Sequence, residues 1–146
     1  MCLTYVSDRS KNAVSELQER ISKLPNKPTT TAYQINLSTL TGAQELISHL
    51  KTSTAGELTI DILVNNAGLM ATAWETSPDG YEIDLATNHL GPFLFTNLIM
   101  NKIIASPAPR VITVSSSLHR LGPFRFDDYN FHVCAQHFLS SVNGIN

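Results

Sequence analysis

The sequence predicts an α/β fold built on a doubly wound parallel sheet, and two observations lead to this prediction. Segments rich in β-branched residues alternate with segments whose apolar residues recur every three or four positions, which is the order typical of βαβ units. The third strand segment, residues 60–64, is almost wholly apolar. Such a run is typical of a parallel strand covered on both faces.

The first half of the chain contains two predicted strand–helix units. Residues 3–6 form a predicted strand, and Ser10 is suited to cap a helix that ends at Pro25. The apolar positions of that helix are Val14, Leu17, Ile21 and Leu24. Residues 31–37 are rich in β-branched and aromatic side chains and predict a second strand. A second helix then carries Leu46, Ile47 and Leu50.

The second half repeats this order around a long helix. The strand at residues 60–64 runs into a turn at residues 65–68, and Ser77-Pro78-Asp79 has the residue types of a helix start. The apolar stripe of this helix is Ile83, Ala86, Leu90, Leu94 and Leu98. Pro92 predicts a kink, because proline lacks the backbone donor. A fourth strand is predicted at residues 110–114.

Composition excludes several classes of function. The 146 residues are 42% hydrophobic and 15% charged, with a net charge of -2, which is ordinary for one globular domain. Nothing in this balance favours nucleic acid or an anionic membrane as a partner. No apolar run approaches the roughly 20 residues of a membrane span. The two cysteines and five histidines form no metal-ligand pattern, and the low cysteine count favours a reducing, cytoplasmic location.

Polar or small residues follow each predicted strand, at the edge of a parallel sheet where ligands bind. They are Asp8-Arg9, Asn36, residues 65–68 and Ser115 to Ser117. Asn, Gly and Ser also end strands because they form turns, so each position has a purely structural interpretation as well. The sequence therefore predicts a crevice at this edge without identifying its ligand.

Three ordered motifs resemble the middle of a short-chain dehydrogenase/reductase: residues 61–68 (DILVNNAG), 88–93 (NHLGPF) and 110–116 (RVITVSS). Residues 79–82 (DGYE) and 126–129 (FDDY) resemble the branch of retinol dehydrogenases and WW-domain oxidoreductases. The resemblance covers about residues 3–131, so we expect a partial cofactor-binding domain at 1–131 and a non-matching tail at 132–146. A different α/β binding domain, such as a flavodoxin-like one, is disfavoured by the motif order.

The resemblance implies hydride exchange between a nicotinamide cofactor and an alcohol or carbonyl substrate. Ser116 resembles the family's serine that holds the substrate oxygen, with Ser115 and Ser117 as alternatives in register. Asn88 resembles the family's asparagine, which holds a water molecule and braces the backbone. The structural alternatives are a strand exit for the serines and an amide that caps the kink for Asn88.

Cofactor contacts are implied at three strand ends. Asn66, Ala67 and Gly68 match the loop under the cofactor, where small side chains let the ligand approach the backbone. After the first strand, Arg9 favours the 2′-phosphate of NADP, whereas Asp8 favours the free ribose of NAD. Asn36 and Leu37 stand where the family has Asp-Leu against the adenine, and an amide oxygen can still accept from an exocyclic amine.

Two family motifs are absent from the sequence. No glycine-rich turn that could hold a pyrophosphate is present, and none of the four tyrosines precedes a lysine by four residues. The resemblance thus implies an incomplete Rossmann-like sheet that lacks the first strand and the last part of the fold. In the family strand order 3-2-1-4-5, a gap separates the strands at residues 3–6 and 60–64. We expect the isolated chain to be poorly soluble or only marginally stable.

Two functions remain open at this point. The chain is either part of an oxidoreductase that is inactive alone, or a non-catalytic remnant that binds a protein partner. In the second interpretation, the helix at residues 79–104 packs against another copy, as this helix commonly does in the family.

Overall fold

The computed structural model describes residues 2–5, 8–26, 28–53, 59–70, 73–120 and 125–133. The strands are β1 (Cys2–Tyr5), β2 (Thr31–Gln34), β3 (Ile62–Asn65) and β4 (Arg110–Thr113). The helices are α1 (Asp8–Ser22), α2 (Leu40–Ser53), α3 (Ile83–Leu85), α4 (Gly91–Leu98) and α5 (Met100–Ile104). A π-helical turn (Ala86–Leu90) joins α3 to α4, and 3-10 turns follow at Ser117–Arg120 and Phe126–Asp128. This alternation confirms the predicted α/β class.

The strands form two parallel pairs. In the first pair, Tyr5 of β1 lies opposite Gln34 of β2, and in the second, Asn65 of β3 lies opposite Thr113 of β4. Among the described residues no hydrogen-bonded ladder joins β1 to β3. This separation is the arrangement expected when a strand between β1 and β3 is missing.

One face of the β3–β4 pair is open to solvent, so the prediction of a strand covered on both faces is wrong for β3. We call this surface the outer face. Its residues are Ile62, Val64, Ile112 and Val114, with exposed fractions of 57, 52, 46 and 54%. Leu63 points the other way and packs against the core, since side chains alternate along a strand. The apolar side chains of this strand favour burial, but the described residues do not cover those on the outer face.

The core lies where α2 packs against α4 and the end of β2. Its buried residues are Ile35, Leu37, Ala43, Leu46, Phe95, Ile99 and Ile103. The approach of α4 to β2 depends on Gly91, because a β-carbon there would lie 2.1 Å from the carbonyl oxygen of Leu37. Strand pairing in β2 stops at Gln34, earlier than predicted, because Ile35 and Leu37 turn into this core.

The long helix does not begin at Ser77-Pro78-Asp79 as predicted. These residues form a turn closed by Gly80, which has a φ of 82° and donates its N–H to the Ser77 carbonyl at 2.9 Å. A left-handed residue cannot continue a right-handed helix. Helix α3 instead begins at Ile83, where the Glu82 carboxylate accepts the backbone N–H groups of Asp84 and Leu85.

The predicted kink at Pro92 is present as the π-helical turn before it. Gly91 donates its N–H to the carbonyl of Ala86, five residues back, so this turn contains one extra residue. The extra residue shifts the buried stripe: Phe95, Ile99 and Ile103 are buried, while Leu94 is partly buried against the core and Leu98 is exposed. The predicted stripe is therefore wrong at Leu98, and its other positions are buried or partly buried.

A smaller difference from the prediction concerns the start of helix α1. Helix α1 begins at Asp8, so Ser10 lies inside the helix instead of capping it as predicted. An acidic residue in a first helical turn is favoured by the helix dipole. None of the helices in the described ranges is long and apolar enough to cross a bilayer.

Candidate functional site

The site is assembled at the carboxyl ends of β3 and β4. The parallel register continues one step past the strands, where Val114 donates its N–H to the carbonyl of Asn65 at 3.0 Å. The segments that follow, residues 66–68 and 115–117, therefore leave the sheet side by side, and both are exposed. The structure thus brings together two of the predicted groups of site residues.

Asn88 fixes the loop after β3. Its amide oxygen accepts the N–H of Leu69 at 2.8 Å, and its amide nitrogen donates to the carbonyl of the same residue at 2.8 Å. Both bonds reach a residue 19 positions upstream, so the amide does not cap the kink at Gly91-Pro92. Asn88 therefore joins its helix to the loop after β3, while the family role that the resemblance implies for it stays a prediction.

The π-helical turn explains how Asn88 reaches this loop. Pro92 follows Asn88 by four residues and has no N–H to donate to its carbonyl, so the helical ladder is interrupted here. The interruption leaves Asn88 exposed on the side of the loop. A β-carbon at Gly68 would lie 3.2 Å from the Asn88 amide oxygen, a close contact that the Asn88 side chain would have to relieve by a small shift.

At the end of β2, Leu37 faces inward whereas Asn36 is exposed. The Asn36 amide oxygen accepts the N–H of Ser38 at 3.0 Å and its hydroxyl at 2.7 Å, which is an Asx-turn. Leu37 is a core residue, and its carbonyl lies against Gly91, three residues from Asn88. This end of β2 is therefore close to the helix that carries Asn88, although the Asn36 oxygen is already used within the chain.

The remaining predicted residues occupy the expected strand ends. Asp8 and Arg9 form the start of α1, directly after β1, and their side chains lie outside the described residues. Ser116 is exposed between β4 and the following 3-10 turn, flanked by exposed Ser115 and Ser117. Among the residues that the structure describes, no three His, Cys, Asp or Glu side chains form a metal site.

Sequence reasoning missed Asn130. This buried residue follows the motif at 126–129 and forms hydrogen bonds with the backbone of Gly80 and Glu82, about 50 positions upstream. Its only signal in the sequence is its place beside that motif, because a single buried amide leaves no periodic pattern.

Taken together, the described groups can bind and orient a ligand more readily than they can move protons. The exposed loop at residues 66–68 offers backbone and small side chains, and the serines at 115–117 offer hydroxyl groups. Asn88 holds the loop in place with both ends of its amide.

Known proteins with similar sequence or structure agree with this arrangement. A family model described as short chain dehydrogenase matches residues 2–130. Retinol dehydrogenase 13 of Homo sapiens is 46% identical over 74 residues, which is 51% of this chain and 22% of that protein.

Solved structures of greater length share the fold. An uncharacterized protein from Mycobacterium paratuberculosis superposes with a TM-score of 0.68 and 26% identity, over 90% of this chain and 42% of that one. The angucycline C-6 ketoreductase LanV with bound NADP superposes with a TM-score of 0.63 and 26% identity, over 97% of this chain and 56% of that one. The chain thus spans about half of these solved proteins.

Proposed function

The chain belongs to the short-chain dehydrogenase family, and we propose that it supplies the cofactor loop and substrate serine of an NAD(P)-dependent oxidoreductase. The substrate class is a small-molecule alcohol or carbonyl compound. The observation that supports this most directly is the pair of hydrogen bonds from Asn88 to Leu69, which holds the loop at residues 66–70 beside the serines after β4. The low cysteine count supports a cytoplasmic location.

The residues present fit one part of a nicotinamide cofactor. Residues 66–68 are exposed, and their small side chains would let a ring system approach the backbone. Asp8 and Arg9, at the end of β1, would contact the adenosine ribose or its phosphate. The sequence contains no glycine-rich run to hold the pyrophosphate. When bound, the cofactor supplies the hydride chemistry.

In this proposal each residue of the chain has a positional role. Ser116 holds the substrate oxygen by its hydroxyl, with Ser115 and Ser117 as alternatives. Asn88 keeps the loop at residues 66–70 fixed while ligands bind. Arg9 favours NADP, since a guanidinium pairs with a 2′-phosphate, whereas Asp8 would favour NAD.

We expect the chain alone to be inactive in hydride transfer. A phenol with an ordinary pKa near 10 needs a neighbouring cation before it can exchange protons near neutral pH. The residues four positions after the tyrosines are Arg9, Leu37, Leu85 and Val133, so none is the lysine of the family motif. Tyr5, which precedes Arg9, lies in the first strand, far in sequence from the place where the family has its tyrosine. Turnover of NADPH by the purified chain with an aldehyde would contradict this part of the proposal.

Cofactor binding tests the proposal directly. NADPH and NADH are titrated into the chain and followed by nicotinamide fluorescence. Ala67→Val places two methyl groups on the loop and should weaken NADPH binding by about tenfold. Ala105→Val is the matched control at an exposed position near the end of α5, and it should leave binding unchanged. Absence of binding by the unmodified chain, or equal loss in both variants, would refute the cofactor site.

A second variant tests the preference for NADP. Arg9→Ala should weaken NADPH binding and leave NADH binding unchanged, because only NADPH carries the 2′-phosphate. Equal affinity of Arg9→Ala and the unmodified chain for NADPH would remove Arg9 from the site.

A second candidate function is protein binding through the interrupted helix at residues 83–104. Phe93, Leu98 and Ile104 have exposed fractions of 62, 47 and 67%, which is unusually apolar for a free helix surface. The proposed partner is a second copy or a full-length family member. Phe93→Glu should abolish co-elution of the chain with a full-length family member on size exclusion. Phe126→Glu, at an 83% exposed phenylalanine outside this helix, should leave that co-elution unchanged. Complete absence of co-elution by the unmodified chain would contradict this function.

A further inference from the structure

Asn130 is buried and uses its whole side chain to hold a distant turn. Its amide oxygen accepts the N–H of Glu82 at 2.9 Å, and its amide nitrogen donates to the carbonyl of Gly80 at 2.9 Å. Its backbone carbonyl accepts the indole N–H of Trp74 at 2.9 Å. Only 9% of Asn130 is exposed, so these partners would lose their hydrogen bonds in a poorly hydrated place if the side chain were removed.

The backbone conformation of the segment around Asn130 places its side chain against the distant turn. After the 3-10 turn at Phe126–Asp128, Phe131 has a φ of 54°, a left-handed conformation that is strained for a residue with a side chain. Phe131 donates its N–H to the carbonyl of Asp128 at 2.9 Å. The ring of His132 then packs on Trp74, with centroids 5.0 Å apart. We call residues 125–133 the clasp.

The turn that the clasp holds leads directly into the helix of Asn88. Ser77 donates its N–H to the Tyr81 carbonyl at 2.7 Å, and Ile83 donates to the Glu75 carbonyl at 3.0 Å, so residues 75–83 close on themselves. Glu82, whose backbone N–H binds Asn130, also caps α3 with its carboxylate. The loop after β3 is thus fixed twice: at Leu69 by Asn88 and at its far end by Asn130.

We propose that Asn130 is a positioning residue that aligns the two loops of the candidate site. The clasp continues the chain beyond β4 and Ser116, whereas Trp74 and Gly80 continue the chain beyond the loop at residues 66–70. Asn130 therefore joins the segment that follows the serines in the chain to the segment that follows the cofactor loop. The effect on cofactor binding rests on the proposed function, but the tie itself does not.

The first experiment measures the clasp without a cofactor. Trp74 is the only tryptophan, so its indole N–H gives a single NMR signal, and its exchange with solvent reports whether the clasp is docked. Asn130→Ala leaves the backbone acceptor in place, so the indole N–H changes only if the clasp detaches. We expect its exchange to accelerate at least about tenfold, together with that of the Leu69 amide.

Asn97→Ala is the matched control, since the Asn97 amide makes a single exposed bond to the carbonyl of Phe93. It should leave both exchange rates unchanged. Unchanged exchange at both Trp74 and Leu69 in Asn130→Ala would overturn the proposal.

A conservative variant separates positioning from general loss of folding. In Asn130→Asp, the carboxylate can still accept from Glu82 but cannot donate to the Gly80 carbonyl. Burial beside that carbonyl raises the pKa of the new carboxyl above its usual value near 4, so acidification restores a donor. The imidazole of His132 also contacts position 130, so the comparison is made in a His132→Gln background. There, the exchange defect of Asn130→Asp relative to His132→Gln alone should be larger at pH 8 than at pH 5.5, and a defect independent of pH would contradict the assigned bond to Gly80.

Cofactor titration completes the test. Asn130→Ala should raise the Kd for NADPH by about tenfold although Asn130 touches no cofactor, and Asn97→Ala should leave it unchanged. If the unmodified chain binds no NADPH, the proposed function fails while the exchange result still decides the role of the clasp. If NADPH binds equally to both variants, the clasp does not position the site.

Discussion

A single asparagine amide can bond both the backbone N–H and the backbone carbonyl of one residue, and Asn88 does this at Leu69. One amide oxygen and one amide nitrogen meet the N–H and the carbonyl of Leu69, both at 2.8 Å. A carboxylate of the same shape would lose the donor and face the Leu69 carbonyl with a negative charge. The residue type at position 88 is thus explained by hydrogen bonding within the chain, before any cofactor is considered.

Replacing Asn88 should therefore weaken both the loop and the fold. Asn88→Ala removes two hydrogen bonds and should lower the free energy of unfolding by about 1–2 kcal/mol, measured by urea denaturation. Asn88→Asp should be at least as damaging at neutral pH. Asn97→Ala, which removes one exposed bond on the same helix, serves as the control. A loss in Asn88→Ala no larger than in this control would argue against the brace.

At the scale of elements, the interrupted helix between Ile83 and Ile104 decides what packs against the sheet. The π-helical turn at Ala86–Leu90 shifts the buried stripe by one residue and brings Phe95 and Ile99 into the core. It also ends where Gly91 lies against the Leu37 carbonyl. The contact between α4 and the end of β2 therefore depends on both features.

The sign of the change in the free energy of unfolding of Gly91→Ala tests this contact. Helix propensity alone would make alanine more favourable by about 1 kcal/mol. A β-carbon would lie 2.1 Å from the Leu37 carbonyl oxygen, so the helix must move away. We expect a net loss of about 2 kcal/mol or more in the free energy of unfolding, measured by chemical denaturation. A more stable variant would show that the close approach is absent.

Asp79 connects two elements that are distant in sequence. Its carboxylate accepts the N–H of Leu40 at 2.7 Å and so caps the beginning of α2 from the turn before α3. Asp79→Ala should cost about 1 kcal/mol of stability, the usual value of a helix cap. Asp127→Ala, at an exposed aspartate in the clasp, is the control. Equal thermal midpoints for the two variants would contradict the capping role.

The whole molecule leaves an apolar face and strand edges without a partner in the described residues. The four residues of the outer face are each about half exposed, and β1 and β3 share no ladder. Exposed β-branched strands favour pairing with other chains. A parallel sheet is normally covered on both faces, and the described residues do not cover the outer face.

We therefore expect the isolated chain to be marginally stable and to associate. Heating monitored by circular dichroism should give a broad transition, and light scattering should rise with protein concentration. A sharp, cooperative melt of a monomer at about 45–65 °C, ordinary for a mesophilic domain, would contradict this expectation.

Substitution on the outer face refines this prediction. Val64→Thr combined with Val114→Thr keeps the β-branched shape and adds polarity, so scattering should fall. Val133→Thr is the matched control, because Val133 is 50% exposed and lies in the clasp. An equal decrease in both proteins would show that the outer face is not the associating surface.

Local patterns in the sequence determined the alternation of strands and helices, the parallel sheet and the strand ends at which the candidate site lies. They also determined Asn88, Ser116 and residues 66–68 as candidates, because motifs and strand ends are local features. The hydrogen bonds of the Asn88 amide are present in the structure, whereas its family role and the roles of Ser116, Asp8, Arg9 and the cofactor loop stay predictions.

The tertiary structure decided what depends on residues far apart in the chain. Asp79 caps α2, and Asn130 of the clasp bonds Gly80. The shift of the buried stripe follows from a backbone hydrogen bond between Gly91 and Ala86, which are five residues apart. The exposure of Ile62 and Val64 likewise depends on which elements are present to cover them. Hydrophobic periodicity predicts which side chains favour burial, but the packing of distant elements determines which of them are buried.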